Sequence, residues 1–422
     1  MSAISRVAPL HVRGHQVESR DLRNGSRVLA IHAPRARNHT VALSIGAGMR
    51  DEENLAEAGM MHLIEHMVYQ DSAATAGRDR QQQLARSGAV LGGHTHMDYT
   101  EFYETGSNES IQSVARRLVD QVFFPMFRED QINQQIAAVA TERRQRLASA
   151  PGQTLPWPHL TGRYWRDHAN GHDGSGDTGL TEHATPAVLR SIHGRTYRPQ
   201  HTVLVALSSQ PPEEVVTDLA DAVGGIERAE VPRSPRLRPP GQPVSQRLDL
   251  VEETKGDRPR RLSVTRAAPS RALSPEVLGD LLVAEALTMQ PGIDASAGLF
   301  GPGDMTQDDL FVLVDDTAFG MDAAMRLRAV TAVDDMLVRH AVARATSRAE
   351  QLTIDDARLV RAVARDVLLR DTIDFATALV DALNSLQDVP GDARQLMSAA
   401  SARLVEQPSV SLTLRALTER SS

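Results

Sequence analysis

The segment GMMHLIEHMVYQ, residues 59–70, places three ionisable side chains within an otherwise apolar run. His62 and His66 are four residues apart, so on a helix they lie one turn above each other on the same face. Two imidazoles at this spacing are able to bind one ion, and zinc takes such nitrogen ligands at about 2.0–2.1 Å. Glu65 lies beside the pair, where a carboxylate is suited to take a proton from water. The segment therefore predicts a zinc centre with a general base.

The apolar residues around these side chains strengthen the metal interpretation. A single histidine on an apolar helix is usually an ordinary core or surface residue, but two histidines with an adjacent glutamate are harder to explain that way. Burying three ionisable groups without a metal or other partners would cost several kcal/mol.

A third protein ligand has to come from elsewhere in the chain. A helix is predicted at 129–147, and after Asp130 its only acid is Glu142. Three arginines close to Glu142 would hold it equally well in ion pairs on the helix surface: Arg143, Arg144 and Arg146. The alternative third ligands lie in the segment GGHTHMDYT: His94, His96 and Asp98. His94 and His96 would share one face of a strand.

Hydrophobic periodicity predicts the elements that position these residues in the first half of the chain. Strands are predicted at 27–34, 39–48 and 201–209, and a hairpin at 88–107. Helices are predicted at 55–72, 110–124, 129–147, 186–197 and 212–223. Residues 150–180 are rich in Gly, Pro, His and Asp, so we expect a loop there, with His168 and His172 exposed.

A proline-rich segment separates this half from a second half with a similar order of elements. Residues 229–247 contain five prolines, which favours a linker between domains at 1–228 and 248–422. In the second half, strands are predicted at 247–253, 260–267, 308–316 and 408–417, and helices at 275–289, 320–346 and 353–388. We therefore predict an α+β fold of two homologous α/β-sandwich domains.

Composition excludes several other classes of protein. The chain has 422 residues, a net charge of −8 and no cysteine. The acidic balance argues against a general nucleic-acid partner, and the missing thiols exclude disulfides and thiolate ligands. No run approaches the length of a membrane span, and the N-terminus lacks the apolar core of a signal peptide. A cytoplasmic location is expected.

The segment His62-x-x-Glu65-His66 closely resembles the metal-binding helix of the pitrilysin/insulinase family of zinc metallopeptidases (inverzincins), and in particular bacterial subunits of the mitochondrial processing peptidase type. In that family the third ligand is a glutamate on a later helix, and Glu142 lies 76 residues beyond His66. The resemblance implies that His62, His66 and Glu142 bind Zn²⁺. It also implies that Glu65 activates a water held by the metal.

Two further segments carry the resemblance, which covers about residues 25–220. They are GAVLGGHTHMDYTEFY and LRSIHGRTYRPQHTVLVALSSQPPEE. The family implies an endopeptidase subunit that cleaves short unfolded peptides, such as leader peptides, propeptides or fragments. The peptide would add to a sheet edge formed by Leu91, Gly92, Gly93 and His94. The family usually has Asn-Ala at Gly92 and Gly93, so we expect that the substrate is positioned more loosely here or is positioned elsewhere.

The second half lacks two residue types, and their absence bears on which partner subunit the chain needs. The family places an Arg-Tyr pair in a glycine-containing segment there, but this chain has no tyrosine after Tyr197 and no arginine between residues 272 and 325. The resemblance therefore implies a heterodimer with a homologous subunit that supplies the pair. A homodimer is the alternative, because symmetric pairing is common.

Two other functions remain open at this point. The chain could be a non-catalytic scaffold or binding subunit of the same family, although such members usually lose ligands or the base. It could also be a zinc hydrolase that acts on a bond other than a peptide bond.

Overall fold

The computed structural model describes residues 10–107, 109–149, 156–172, 174, 183–228, 243–244, 246–254, 260–300, 305–316, 322–330 and 334–416. Two sheets and the helices around them confirm the predicted α+β fold. The strands are β1 (Leu10–Val12), β2 (His15–Asp21), β3 (Arg27–His32), β4 (His39–Ile45), β5 (Val90–Thr95), β6 (Thr100–Ser107), β7 (Thr202–Ser208), β8 (Leu248–Thr254), β9 (Arg260–Arg266), β10 (Ile293–Ala297), β11 (Leu310–Asp315) and β12 (Ser409–Ala416).

The helices of the first half are α1 (Met60–Val68), α2 (Gly77–Ser87), α3 (Ile111–Phe123), α4 (Glu129–Ser149), α5 (Pro156–Trp165), α6 (His168–Gly171), α7 (Pro186–Thr196) and α8 (Pro212–Val223). Those of the second half are α9 (Pro275–Thr288), α10 (Ala323–Ala329), α11 (Asp335–Gln351), α12 (Asp356–Arg370), α13 (Phe375–Gln387) and α14 (Pro390–Glu406). Among the described residues, none of these helices has the length and apolar character needed to cross a lipid bilayer.

Strand order shows that the two halves repeat one unit. The first sheet has the order β1-β2-β3-β7-β4-β6-β5, and the second has β10-β11-β9-β12-β8. Five strands of each sheet correspond: β3-β7-β4-β6-β5 in the first sheet and β8-β12-β9-β11-β10 in the second. In both sheets the first two of these strands are parallel, and every following neighbour is antiparallel. The predicted duplication is therefore present in the topology.

Each sheet is covered on one face by helices of its own half and on the other face by a helix of the other half. Helices α1, α3, α4 and α8 pack on one face of the first sheet. Its opposite face packs against Leu359, Val360 and Val363 of α12. In return, Leu160, Tyr164 and Trp165 of α5 pack on the second sheet. The halves thus share apolar cores, which fixes their relative orientation.

The predicted loop at 150–180 was wrong, because α5 and α6 lie within it. Helix α5 forms because its buried aromatic residues pack against a sheet of the other half, and local sequence does not reveal that contact. His172, which we expected to be exposed, is buried with a relative exposure of 5%.

The two long helices predicted in the second half are each divided. The prediction 320–346 corresponds to α10 and α11, and 353–388 to α12 and α13. Asp371 ends α12 in a left-handed conformation (φ 54°), a stop that hydrophobic periodicity does not show. Aspartates cap the starts of α10, α11 and α12: Asp322, Asp334 and Asp355.

The domain boundaries stay a prediction. Most of the predicted linker, residues 229–242 and 245, lies outside the described residues.

Candidate metal centre

Helix α1 begins at a fixed place because its first backbone groups bind a buried carboxylate. Gly59 precedes the helix with φ 88°, a conformation that favours glycine. Glu52 accepts hydrogen bonds from the backbone N–H of Met61 at 2.8 Å and of Gly59 at 3.1 Å. His172 Nδ1 lies 3.1 Å from the same carboxylate, and burial raises the pKa of Glu52 well above its ordinary value. Sequence reasoning missed this anchor.

The structure brings together the three predicted metal ligands. Glu142 Oε2 lies 3.4 Å from His62 Nε2 and 3.5 Å from His66 Nε2. Ligands at about 2.1 Å from a tetrahedral zinc ion would be about 3.4 Å apart, so the spacing fits that ion. Within the described ranges, these three residues are the only group of His, Cys, Asp or Glu with ligand atoms close enough to share a metal.

Glu142 has one oxygen for the histidines and one for the helix surface. Its Oε1 accepts a hydrogen bond from Arg146 at 2.9 Å, so one of the expected surface ion pairs is present alongside the metal-facing arrangement. Hydrogen bonds with His62 and His66 hold the pKa of this carboxyl well below its usual range. Glu142 is therefore ionised at neutral pH, as a metal ligand must be.

A glutamine orients one of the imidazoles. His66 Nδ1 donates to Gln135 Oε1 at 3.1 Å, so Nε2 is the ring nitrogen that faces Glu142 and would face a metal. Gln135 lies two turns before Glu142 on α4, so the same helix face carries both. The sequence analysis missed it, although this spacing of seven residues was a usable signal. His62 Nδ1 is buried and has no hydrogen-bond partner among the described residues.

The predicted base, Glu65, is buried beside the histidines with a relative exposure of 8%. Its Oε2 accepts a hydrogen bond from Thr95 Oγ1 of β5 at 3.1 Å. This contact ties the carboxylate to the edge strand of the first sheet. Thr95 was not predicted from the sequence.

The four predicted substrate-binding residues, Leu91, Gly92, Gly93 and His94, all lie on β5. This strand is at the end of the first sheet, next to β6, so its other edge has no strand partner among the described residues. The predicted sheet edge beside α1 is therefore present in the structure.

The two glycines of β5 fit close neighbours. Neither has a positive φ. A Cβ at Gly92 would lie 2.3 Å from Cζ of Tyr103, and a Cβ at Gly93 would lie 2.1 Å from the hydroxyl of Tyr69. Tyrosines on both faces of the strand thus occupy the space that side chains would need. The effect of the two glycines on substrate positioning stays a prediction.

The alternative third ligands have other partners. His94 pairs with Glu101 across the hairpin and lies on the sheet face that α12 covers, opposite α1. His96 stacks on Tyr99 with ring centroids 4.2 Å apart. Asp98 binds Arg50 at 3.1 Å. The structure brings none of the three to His62 and His66.

The second half has an ion cluster at the position equivalent to the metal centre. Helix α9 follows the second shared strand, as α1 does, and it packs against α11 as α1 packs against α4. On α9, the buried Glu285 binds Arg344 at 3.0 Å and Arg348 at 2.6 Å. Arginines cannot serve as metal ligands, so this copy of the site is unsuited to zinc.

The match to known proteins covers the part of the chain that contains these residues. The family model described as insulinase, peptidase family M16, matches residues 27–173. The predicted resemblance to this family is confirmed. His62, Glu65, His66 and Glu142 all fall within the matched M16 segment.

Curated relatives carry similar names. A zinc protease of Mycobacterium leprae, itself uncharacterized, is 24% identical over 203 residues, which is 48% of this chain and 45% of that protein. The mitochondrial-processing peptidase subunit beta of Neurospora crassa is 22% identical over 208 residues, 49% of this chain and 43% of that protein. The chain thus spans about half the length of the curated relatives it matches.

Solved structures extend the likeness to both halves. A protease from Helicobacter pylori aligns with a TM-score of 0.76 at 14% identity, over 95% of this chain and 100% of that one. The peptidase M16 inactive domain from Pseudomonas fluorescens aligns with a TM-score of 0.72 at 14% identity, over 95% and 98%. At such identities the likeness concerns the fold alone.

Proposed function

We propose that this chain is a zinc-dependent endopeptidase subunit that cleaves short unfolded peptides. The observation that carries the proposal is the convergence of His62, His66 and Glu142 on one point, with Glu65 next to them on α1. The names of its zinc-protease relatives agree with it.

The donor set suits zinc, and each residue has a separate task. His62, His66 and Glu142 would hold the ion, with Gln135 orienting the His66 ring. Zinc in such a site acts as a Lewis acid towards a peptide carbonyl and lowers the pKa of water. Glu65, held by Thr95, would accept the proton of the attacking water and deliver it to the leaving amine.

We propose that β5 binds the peptide as an additional strand, through backbone hydrogen bonds at Leu91, Gly92, Gly93 and His94. The strand is at a sheet edge, and Thr95 connects it to the base. A bound peptide is expected to slow hydrogen exchange of the β5 amides. Unchanged exchange in a complex with an uncleaved peptide would count against this mode.

The partner would be a homologous subunit that lacks His-x-x-Glu-His and supplies an Arg-Tyr pair. Residues 272–325 contain neither residue type. Arg348 of α11 does approach this segment, 4.8 Å over the Phe300 ring, but it is bound to Glu285. Efficient peptide cleavage by the purified chain, as a monomer or homodimer, would refute this complementation.

The test compares the natural chain with Glu65→Gln, alone and with a candidate partner. Metal analysis and a generic peptide-cleavage assay are run on both proteins. We expect equal zinc contents, and cleavage only with Glu65, because the glutamine cannot accept the proton. Bound zinc without Glu65-dependent cleavage would favour the scaffold or a different hydrolase.

A further inference from the structure

A tyrosine hydroxyl lies next to the proposed base without a visible partner. Tyr69 caps the C-terminal end of α1 in a helical conformation, four residues after Glu65, so the two side chains project from the same face. The hydroxyl oxygen is buried and has no hydrogen-bond partner among the described residues. Buried hydroxyls are nearly always hydrogen-bonded, so this group requires an explanation.

Three groups meet at one point beside β5. A Cβ at Gly93 would lie 2.1 Å from the Tyr69 hydroxyl and 3.2 Å from Oε1 of Glu65. Since Gly93 has no positive φ, its backbone would accept any residue. Position 93 therefore requires glycine for steric reasons, because the Tyr69 hydroxyl occupies the space that a side chain would fill.

The carboxylate of Glu65 presents a different oxygen to each neighbour. Thr95 donates to Oε2, while Oε1 is the oxygen on the side of Gly93 and Tyr69. Burial, together with the nearby charge of Glu65, raises the pKa of Tyr69 well above its ordinary value. The hydroxyl therefore keeps its proton and is a donor across the physiological range.

The geometry points to Tyr69 as a positioning residue for Glu65. In this structure the hydroxyl lies near Oε1 without a hydrogen bond to it. In the substrate complex it donates to Oε1, because the hydrogen bonds of a catalytic base often tighten only when substrate binds. Tyr69 and Thr95 then hold the base in one orientation, and Gly93 leaves room for the hydroxyl. This role rests on the proposed function of Glu65. The base would thus be positioned by residues of the first half alone.

The first experiment is kinetic and uses the zinc-loaded chain with the partner needed for activity. Tyr69→Phe keeps the ring and removes the hydroxyl. We expect full zinc, an unchanged KM and a kcat lowered about 10-fold or more, since hydrogen bonds to charged groups are among the stronger ones. Tyr164→Phe removes a buried hydroxyl on α5, which packs against the second sheet away from Glu65, and should leave kcat unchanged. A kcat for Tyr69→Phe within about twofold of the natural chain would overturn the role.

The second experiment needs no activity. Gly93→Ala alone should lower the midpoint of urea unfolding, because its methyl group meets the hydroxyl. In the Tyr69→Phe background the same substitution should lower the midpoint by at most half as much. The contact at 2.1 Å is then gone, and the nearest remaining atom, Cζ of the ring, is 3.0 Å from the added Cβ. If Gly93→Ala lowers the midpoint of urea unfolding equally in both backgrounds, the proposed steric contact between position 93 and the Tyr69 hydroxyl is refuted.

The two experiments separate this inference from the proposed function. If the natural chain shows no Glu65-dependent cleavage, the proposed function fails, and the positioning role fails with it. If cleavage depends on Glu65 but not on the Tyr69 hydroxyl, only the positioning role is refuted.

Discussion

Oε2 of Glu142 lies 3.4 Å from Nε2 of His62, although 80 residues of sequence separate them. The two side chains project from different helices, α1 and α4, that pack side by side. Their contact turns a pair of histidines on one helix into a set of three ligand atoms, which is the minimum for a catalytic zinc site.

Replacing Glu142 by glutamine is expected to weaken zinc binding by more than about 10-fold, since even residues that only orient a ligand change affinity by about 10–100-fold. A neutral amide is a poor ligand for zinc. Arg146→Gln, which removes only the surface partner of Oε1, is the matched control and should retain the metal. Competition with a fluorescent chelator measures both affinities. Full affinity in the Glu142 variant would remove this residue from the ligand set.

Replacing Gln135 by leucine should reduce zinc affinity by about 10–100-fold without removing any ligand. The leucine cannot accept the hydrogen bond from His66 Nδ1, so the ring loses its fixed orientation and tautomer. Gln134→Leu alters an exposed neighbour on the same helix and serves as the control. The two variants are compared by the same chelator titration, and equal affinities would contradict the orienting role.

Arg361→Met should destabilise the fold at neutral pH by about 3–5 kcal/mol, because a buried carboxylate loses its partner. Arg361 of α12 donates to Glu101 Oε1 at 2.9 Å, and the Glu101 side chain is only 3% exposed. The loss should appear in urea unfolding at pH 7. Arg358→Met, on an exposed face of the same helix, should change stability by less than about 0.5 kcal/mol.

The effect of Arg361→Met should depend on pH in one direction. Burial acts to raise the pKa of Glu101, but His96 and Arg361 lower it to about 2 from an ordinary 4.5. A lowered pKa contributes stability that is complete above about pH 4.5 and is lost as the pH falls towards 2; this amounts to about 3 kcal/mol. The difference in free energy of unfolding between Arg361→Met and the natural chain should therefore become smaller at acid pH. A constant difference in free energy of unfolding from pH 7 to 3 would contradict this link between the pKa of Glu101 and stability.

We expect that neither half folds stably as a separate protein. Fragments 1–228 and 248–422, cut at the predicted linker, would each expose the sheet face that α12 or α5 covers. We expect each fragment alone to bind a hydrophobic dye and aggregate, and the co-expressed fragments to form a one-to-one complex. Two monomeric, cooperatively unfolding fragments would show that the exchanged helices are dispensable.

Much of the site could be predicted from sequence because its central part is local. Within one helix, spacing fixes relative position, so residues 62, 65 and 66 had to lie together. Likewise, alternating and helical patterns predicted β3, β4, β7 and the hairpin β5–β6. Glu142 was predicted through family resemblance, since its own surroundings favoured a surface ion pair equally well.

Other parts of the site could not be predicted because they depend on contacts between distant elements. Thr95 contacts the site only because β5 packs against α1. The buried pair of Glu52 and His172 joins segments that local patterns do not relate, and His172 looked like a loop residue for that reason.

The sequence by itself determined the chemistry: two imidazoles and a carboxylate at helical spacing, a duplicated order of elements and the absence of thiols. The tertiary structure decided how that chemistry is held in place. The exchange of α5 and α12 between the sheets, the tyrosines over Gly92 and Gly93, the donor to Glu65 and the acceptor for His66 all arise from packing between residues far apart in the chain. Spacing along a helix is a property of neighbouring residues, whereas packing depends on which surfaces the whole fold brings together.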